Sequence, residues 1–251
     1  MIEIEDNINK VIIGDSKTIL KEFLDNSVDY VLTSPPYNIG SLLGATDIPA
    51  KKTYKKYKDN LNEEEYYGFL VEIIDQLLRV TKKHVLFNIM YVSKNRSAIF
   101  KLIGKYHSNI KDILIWEKKI QPAIHKACLT HNYEFIFVLS KEKENRAYEG
   151  LNFGNTGDFR TCFKEKDNSA VNPEAFWCDV NCAIMSINLA RRMITTFTKE
   201  GDLILDPFLG VGTTAVACKE TNRKFIGIEL DKECLPIINR RLKEVPELLF
   251  N

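Results

Sequence analysis

A mostly parallel, doubly wound α/β sheet is the fold class this sequence predicts, and three observations carry the expectation. Strand-like and helix-like hydrophobic patterns alternate along most of the 251 residues. A glycine turn joins a strand directly to a helix at 203–215. No internal repeat or low-complexity tract interrupts the alternation, so neither a solenoid nor a fibre fits. Alternation requires crossover connections, and these lay helices on both faces of the sheet.

In chain order, residues 10–14 predict a short strand and 16–24 a helix. Residues 29–33 predict a strand that ends at Ser34-Pro35-Pro36-Tyr37, where two prolines stop any helix and force an extended turn. The segment 41–60 predicts a loop, and a long loop beside such a turn is expected to be a mobile lid. Asn62, with Glu65 three residues on, forms a capping box. Phe69, Leu70, Ile73, Ile74, Leu77 and Leu78 supply the apolar stripe of the helix that follows. Strands are predicted at 84–92, 112–116 and 133–139, with a helix at 97–106. Residues 141–180 hold few aliphatics but carry Gly150, Gly154, Gly157 and Pro173, so an insertion with little regular structure is expected there. Helix 184–198, strand 202–205, helix 213–220, strand 224–230 and helix 232–244 complete one domain over 1–251.

Apolar residues make up 45% of the chain and charged residues 27%, ordinary values for a globular protein. No apolar run approaches the roughly 18 residues that span a bilayer. The acidic start, Met-Ile-Glu-Ile-Glu-Asp, lacks a secretory pattern, so a cytoplasmic location without membrane contact is expected. Cys128, Cys162, Cys178, Cys182, Cys218 and Cys234 show no disulfide-framework spacing. His125, Cys128 and His131 are read as packing residues rather than metal ligands, and no metal is expected.

A net charge of +1 means that any contact with nucleic acid must rest on local clusters. One exists: Lys51, Lys52, Lys55, Lys56 and Lys58 interleave with Tyr54 and Tyr57. Such a run is either a solvated loop or a set of phosphate-neutralising cations with aromatics available to stack. Lys51, Lys52, Lys55 and Lys56 are the candidate contacts.

The turn Asp206-Pro207-Phe208-Leu209-Gly210-Val211-Gly212-Thr213 places two glycines between strand and helix, where backbone can approach a ligand closely. Glu229 ends the next strand, where an acid can hold ribose hydroxyls. The spacing matches a dinucleotide fingerprint, but Asp206 sets a carboxylate where a pyrophosphate would approach. A carboxylate repels a pyrophosphate and suits an ammonium group. A tight turn without any ligand is the structural alternative.

Ser34-Pro35-Pro36-Tyr37 suits a second chemistry. An exocyclic amino nitrogen is a poor nucleophile because its lone pair is delocalised into the ring. The Ser34 hydroxyl and the Pro35 carbonyl can accept its two hydrogens, with prolines stiffening the turn. Fixed acceptors raise the rate by positioning. Tyr37 can stack on a base removed from a duplex. A plain proline turn between strand and loop is the alternative.

At these residues the sequence resembles the amino-methyltransferases of DNA, whose motifs are D/N/S-P-P-Y/F/W and D-P-F-x-G-x-G-T-T. The catalytic motif precedes the cofactor motif, an order similar to the family's permuted beta group. The resemblance implies a circularly permuted, seven-stranded sheet of the S-adenosylmethionine-dependent methyltransferase type. Strands at 203–206 and 224–229 would be its first and second, and strands at 11–14 and 29–33 its third and fourth. It further implies S-adenosyl-L-methionine as cofactor, held by Asp15, Ser34, Asp206, Phe208, Gly210, Gly212, Thr213 and Glu229. Asp15 would reach the adenine; helix capping is its other use, and the two are compatible. Ser34, Pro35, Pro36 and Tyr37 would be catalytic.

Asn188-Leu189-Ala190-Arg191-Arg192 resembles the family's helix along the methionine moiety, and Leu129-Thr130-His131-Asn132-Tyr133-Glu134 its lead-in to the seventh strand. Residues 141–180 would be a short target-recognition insertion. The implied partners are double-stranded DNA, a cognate restriction endonuclease and a second copy of the chain. Ser at the first motif position resembles the N4-cytosine enzymes, so flipped cytosine is the expected substrate and N6 of adenine the alternative. A 5-methylcytosine enzyme would need a nucleophilic cysteine after proline, and no Pro-Cys pair occurs. An RNA methyltransferase or a non-catalytic cofactor-binding module is the more distant alternative.

Overall fold

The computed structural model describes residues 2–39, 56–118, 132–142, 148, 160–164 and 184–246. These contain strands β1 (Lys10–Ile13), β2 (Tyr30–Thr33), β3 (His84–Met90), β4 (Ile110–Glu117), β5 (Tyr133–Ser140), β6 (Cys162–Lys164), β7 (Leu203–Asp206) and β8 (Lys224–Glu229). Helices are α1 (Ile4–Asn7), α2 (Ser16–Ile19), α3 (Glu63–Val80), α4 (Arg96–Lys105), α5 (Ile187–Phe197), α6 (Thr213–Glu220) and α7 (Leu235–Glu244). The strands form one sheet in the order β1-β8-β7-β2-β3-β5-β4-β6.

That order realises the expected permutation. The C-terminal strands insert between the N-terminal ones: Ile13 pairs with Glu229 on one side, and Val31 with Leu205 on the other, all parallel. The carboxyl ends of β1, β8, β7 and β2 therefore open onto one edge, where ligands of such sheets bind. β5 alone runs antiparallel to its neighbours β3 and β4. Its first residues consequently meet the last residues of β3, with Glu134 opposite Met90. A side chain at the start of β5 thus reaches the same edge as the ends of the parallel strands.

Alternation along the strands divides the core between the two faces. Val31, Val85, Phe87 and Ile89 pack with α3 and α4, while Leu32, Leu86, Ile136 and Val138 pack with α5 and α6. Period-two strands buried on both sides give this continuous apolar composition. The capping box of α3 is present, with Glu65 N donating to Asn62 Oδ1 at 2.9 Å and Asn62 N to Glu65 Oε2 at 3.3 Å. Leu70, Ile73, Ile74 and Leu77 are buried as the stripe predicts, but Phe69 and Leu78 are only half-buried. Tyr66, outside the predicted stripe, is fully buried.

Two local expectations change. The helix predicted at 16–24 stops at Ile19 and continues as a 3-10 turn, Leu20–Glu22. Arg79 explains the stop: its guanidinium donates to the carbonyls of Leu20 at 2.9 Å and Phe23 at 2.8 Å, satisfying them without further helix. The segment 141–180 is not wholly irregular. Its residues Cys162–Lys164 form β6, an eighth strand beside β4 where seven were expected. β4 would otherwise present an open edge, and β6 covers part of it. Tyr148 anchors the same segment, donating to Asp112 Oδ2 at 2.6 Å.

Lys51, Lys52, Lys55, His125, Cys128, His131, Cys178 and Cys182 lie outside the described residues, as does most of the predicted lid. No described helix is long and apolar enough to cross a membrane.

Candidate active site

The glycine turn begins at the end of β7. Asp206 is 3% exposed, and its carboxylate accepts hydrogen bonds only: Oδ1 from Thr33 Oγ1 at 2.8 Å and Phe208 N at 3.0 Å, Oδ2 from Thr214 Oγ1 at 2.6 Å. Burial pushes its pKa up to about 6, against the pull of those three donors. Thr33 belongs to β2, so this carboxylate fastens the glycine turn to the strand that carries the proline turn. Ser16 adds a second fastening through a short bond from its hydroxyl to the Pro207 carbonyl.

Gly210 and Gly212 adopt φ values of 57° and 86°, the left-handed region that glycine enters without steric cost. Gly212 caps α6 from behind the turn, and a Cβ there would stand 3.0 Å from Ile238 Cγ2. It shapes the turn and faces neither cavity described below. Gly210 N donates to Glu229 Oε2 at 2.7 Å, and Asp231 N to Glu229 Oε1 at 2.8 Å. Burial raises the Glu229 pKa despite these donors. Arg241, on α7, braces the turn by donating to the Val211 carbonyl at 2.8 Å and to Thr213 Oγ1 at 3.2 Å.

Two cavities meet at the carboxyl edge. A recess of about 40 Å³ lies against Asp206, Gly210, Thr213 and Ser34, closed by Ile184 and Met185 on the approach to α5. A larger cavity of about 840 Å³ is bounded by Asp15, Ser34, Phe69, Phe208, Gly210 and Glu229. This is within the roughly 300–1,000 Å³ typical of small-molecule sites. Asp15 also caps α2, accepting from Lys17 N at 2.9 Å, so both of its expected uses are structurally compatible. Phe69, a member of the predicted apolar stripe, packs partly buried against the core and also walls the cavity edge-on to Phe208, with centroids 5.9 Å apart. Lys56 also borders this cavity, its Nζ 3.9 Å from Asp231 Oδ1.

The proline turn forms the opposite wall. Ser34 lines both cavities, Pro36 only the larger and Pro35 neither. Tyr66 donates to the Pro36 carbonyl at 2.7 Å and Asn95 Nδ2 to the Tyr37 carbonyl at 2.9 Å. Asn38, at φ 61°, exchanges two hydrogen bonds with Leu61, and Asp59 accepts from the Asn38 and Ile39 amides at 2.7 and 3.2 Å. The end of the predicted loop is thus tied to the turn.

Tyr37 is 6% exposed, so its ring offers a base only a narrow face in this state. Its hydroxyl lies 2.6 Å from Ser34 Oγ and donates to Glu134 Oε2 at 2.9 Å. Asn88 Nδ2 approaches Glu134 Oε2 at 2.7 Å, Tyr37 Oη at 2.9 Å and Ser34 Oγ at 3.3 Å. Lys118 pairs with Glu134 Oε1, and burial pulls the Lys118 pKa down to about 8.

Sequence reasoning assigned no role to Glu134, Asn88, Lys118, Thr33, Thr214 or Arg241. One signal was available: Glu134 opens an otherwise apolar strand, and a buried carboxylate needs partners.

The arrangement can hold a ligand with an ammonium group at Asp206, hydroxyls at Glu229 and an aromatic ring beside Phe208. It can set Ser34 against a second molecule entering beside the first. A family model described as DNA methylase matches residues 28–240, which include both turns. The chain is 30% identical to the type II methyltransferase M.HpaI of Haemophilus parainfluenzae, over 93% of this chain and 74% of that protein. It is 27% identical to the DNA adenine methyltransferase YhdJ of Escherichia coli K12, over 92% of this chain and 82% of that protein. Among solved structures, the cytosine-N4-specific PvuII DNA methyltransferase superposes with a TM-score of 0.66 at 17% identity, over 93% of this chain and 92% of that one. A putative DNA modification methylase of Thermus thermophilus, solved with S-adenosyl-L-methionine, superposes with a TM-score of 0.62 at 21% identity, over 95% of each chain. At such identities the superpositions attest to the fold, while the family match spans most of the chain. The chain therefore belongs to the DNA methylase family: it is a DNA amino-methyltransferase, similar to type II methyltransferases.

Proposed function

We propose that this protein transfers the methyl group of S-adenosyl-L-methionine to N4 of a cytosine flipped out of double-stranded DNA. The observation that carries this is Ser34, which borders both the recess at Asp206 and the large cavity. When bound, the cofactor supplies an electrophilic methyl group. Asp206 would hold its ammonium group, Glu229 its ribose hydroxyls, and Phe208 with Asp15 its adenine. Ser34 Oγ and the Pro35 carbonyl would accept the two hydrogens of the base amine and orient its lone pair. Tyr37, braced through Asn95 and Glu134, would flank the base. Lys51, Lys52, Lys55 and Lys56 would neutralise DNA phosphates, a second copy of the chain would extend a short recognition region, and a restriction endonuclease would share the site.

Ser34 favours cytosine through the resemblance to N4-cytosine enzymes at this motif position; the two base amines present nearly the same donors to the turn, so discrimination rests on pocket size and ring-edge contacts. The likeness to an adenine methyltransferase of Escherichia coli favours N6 of adenine as the second reading. Mass spectrometry of nucleosides from DNA methylated by the protein separates the two. N4-methylcytosine is expected, and N6-methyladenine as sole product would overturn the cytosine assignment. Ser34→Ala should lose product while still binding cofactor.

A further inference from the structure

We infer that Glu134, paired with Lys118 and acting through Tyr37, sets the direction of the Ser34 hydroxyl. Ser34 then shows the substrate amine a lone pair and keeps its own hydrogen turned inward. This rests on the proposed amine chemistry at Ser34 and names the group that makes Ser34 an acceptor.

A count of donors and acceptors supports it. An ionised carboxylate accepts only, a phenol donates once and can accept twice, and an amide nitrogen donates twice. Glu134 is 2% exposed, with Lys118 on Oε1. Its Oε2 receives Tyr37 Oη at 2.9 Å and Asn88 Nδ2 at 2.7 Å. The Tyr37 hydrogen is therefore committed to Glu134. The second Asn88 hydrogen lies between Tyr37 Oη at 2.9 Å and Ser34 Oγ at 3.3 Å. Tyr37 has no hydrogen left for Ser34, so across the 2.6 Å contact Ser34 must be the donor. One Ser34 lone pair then takes the Asn88 Nδ2 contact at 3.3 Å, and the other is left for the cavities that Ser34 lines.

If Glu134 became neutral, the chain could reverse. Tyr37 could donate to Ser34, and the Ser34 hydrogen would swing towards the incoming amine, donor against donor. Lys118 opposes that reversal by stabilising the charged carboxylate. β5 makes the device available, because an antiparallel strand is what brings a residue from its start to the catalytic edge. Glu134 is buried and lines neither cavity, so it is a positioning residue.

The test is a double-mutant cycle with Glu134→Gln and Tyr37→Phe, read in single-turnover methylation and in titrations of cofactor and DNA. Gln keeps the shape of Glu but can donate. Each single variant should lower turnover by about 10²-fold, the lower bound for losing one oriented catalytic hydrogen bond, with both affinities unchanged. The double variant should be no slower than the worse single one, because both changes cut the same chain. Glu134→Asp should recover part of the rate. Turnover within threefold of the parent in Glu134→Gln, or losses that multiply in the double variant, would overturn the inference. Should Glu134→Gln fail to fold, Tyr37→Phe decides alone, since it spares the Glu134 pairs with Lys118 and Asn88; unchanged turnover there overturns the inference too. Full activity in Ser34→Ala would instead remove the proposed amine chemistry, so the two failures are distinguishable.

Discussion

Replacing Asp206 by Asn should separate cofactor binding from folding. The carboxylate is buried, and burial raises its pKa from 3.8 to about 6. That difference corresponds to about 3 kcal/mol against keeping the group ionised. Asn removes this cost. It also keeps one oxygen for Thr33 and the Phe208 amide, and turns its NH₂ towards the Thr214 hydroxyl, which can rotate to accept. The charge-assisted bonds from Thr33, Thr214 and the Phe208 amide are already contained in that net figure, because they pull the pKa down against burial. The melting temperature should therefore hold or rise, at roughly 2–4 °C per kcal/mol. Cofactor affinity has no such relief, because an amide cannot pair with an ammonium group. S-adenosyl-L-methionine should bind about 10–100-fold more weakly, a loss of about 1.4–2.8 kcal/mol. Calorimetric titration measures this, and 5′-methylthioadenosine, which lacks the amino-acid part, is the control. Equal weakening of both ligands would show that Asp206 only braces the turn, and unchanged binding of the full cofactor would refute the ammonium assignment.

Three further outcomes follow from the same geometry. A Cβ at Gly227 would lie 2.3 Å from Leu209 Cδ2, and Leu209 is pinned by its amide to Ile228 O at 3.0 Å. Gly227→Ala should therefore cost about 1–3 kcal/mol by overpacking and weaken cofactor binding; an unchanged melting curve would mean that Leu209 rotates clear. Cofactor affinity should fall as pH drops below about 6, because protonation of Asp206 removes the charge that would hold the ammonium group. Its contribution to stability runs the other way: the folded state takes up this proton before the unfolded chain does, so folding is favoured as pH falls from about 6 towards 3.8. Titrations well above and well below that window check the first claim, and melts over the same range the second. Changing Lys51, Lys52, Lys55 and Lys56 to Ala should make the salt dependence of DNA binding shallower by about 0.9 per lost phosphate contact, whereas an identical slope would leave them as solvated loop residues.

Much of the molecule was legible before any coordinates. The alternation of strand and helix, the capping box at Asn62 and the two turns are local patterns, and a local pattern is written in consecutive residues. The permutation was legible through the family resemblance alone, because the order of two motifs is permuted only against that family's usual layout. The helix at 16–24 was overread because Arg79, 59 positions from Leu20, takes the carbonyls that would have continued it. β6 was missed because a three-residue strand carries almost no periodicity and exists by pairing with β4.

The sequence pointed to the kind of chemistry through the family resemblance carried jointly by Ser34-Pro35-Pro36-Tyr37 and the Asp206–Gly212 turn, each written within a few residues. It could not show that Thr33 holds Asp206, that Tyr66 holds Pro36, or that Glu134 reaches Tyr37, 97 residues away. Those pairings depend on which strands lie side by side and which one runs backwards. Hydrogen-bond direction is decided over distances of about 3 Å, whatever the separation along the chain. Only the assembled sheet brings these donors and acceptors within that range.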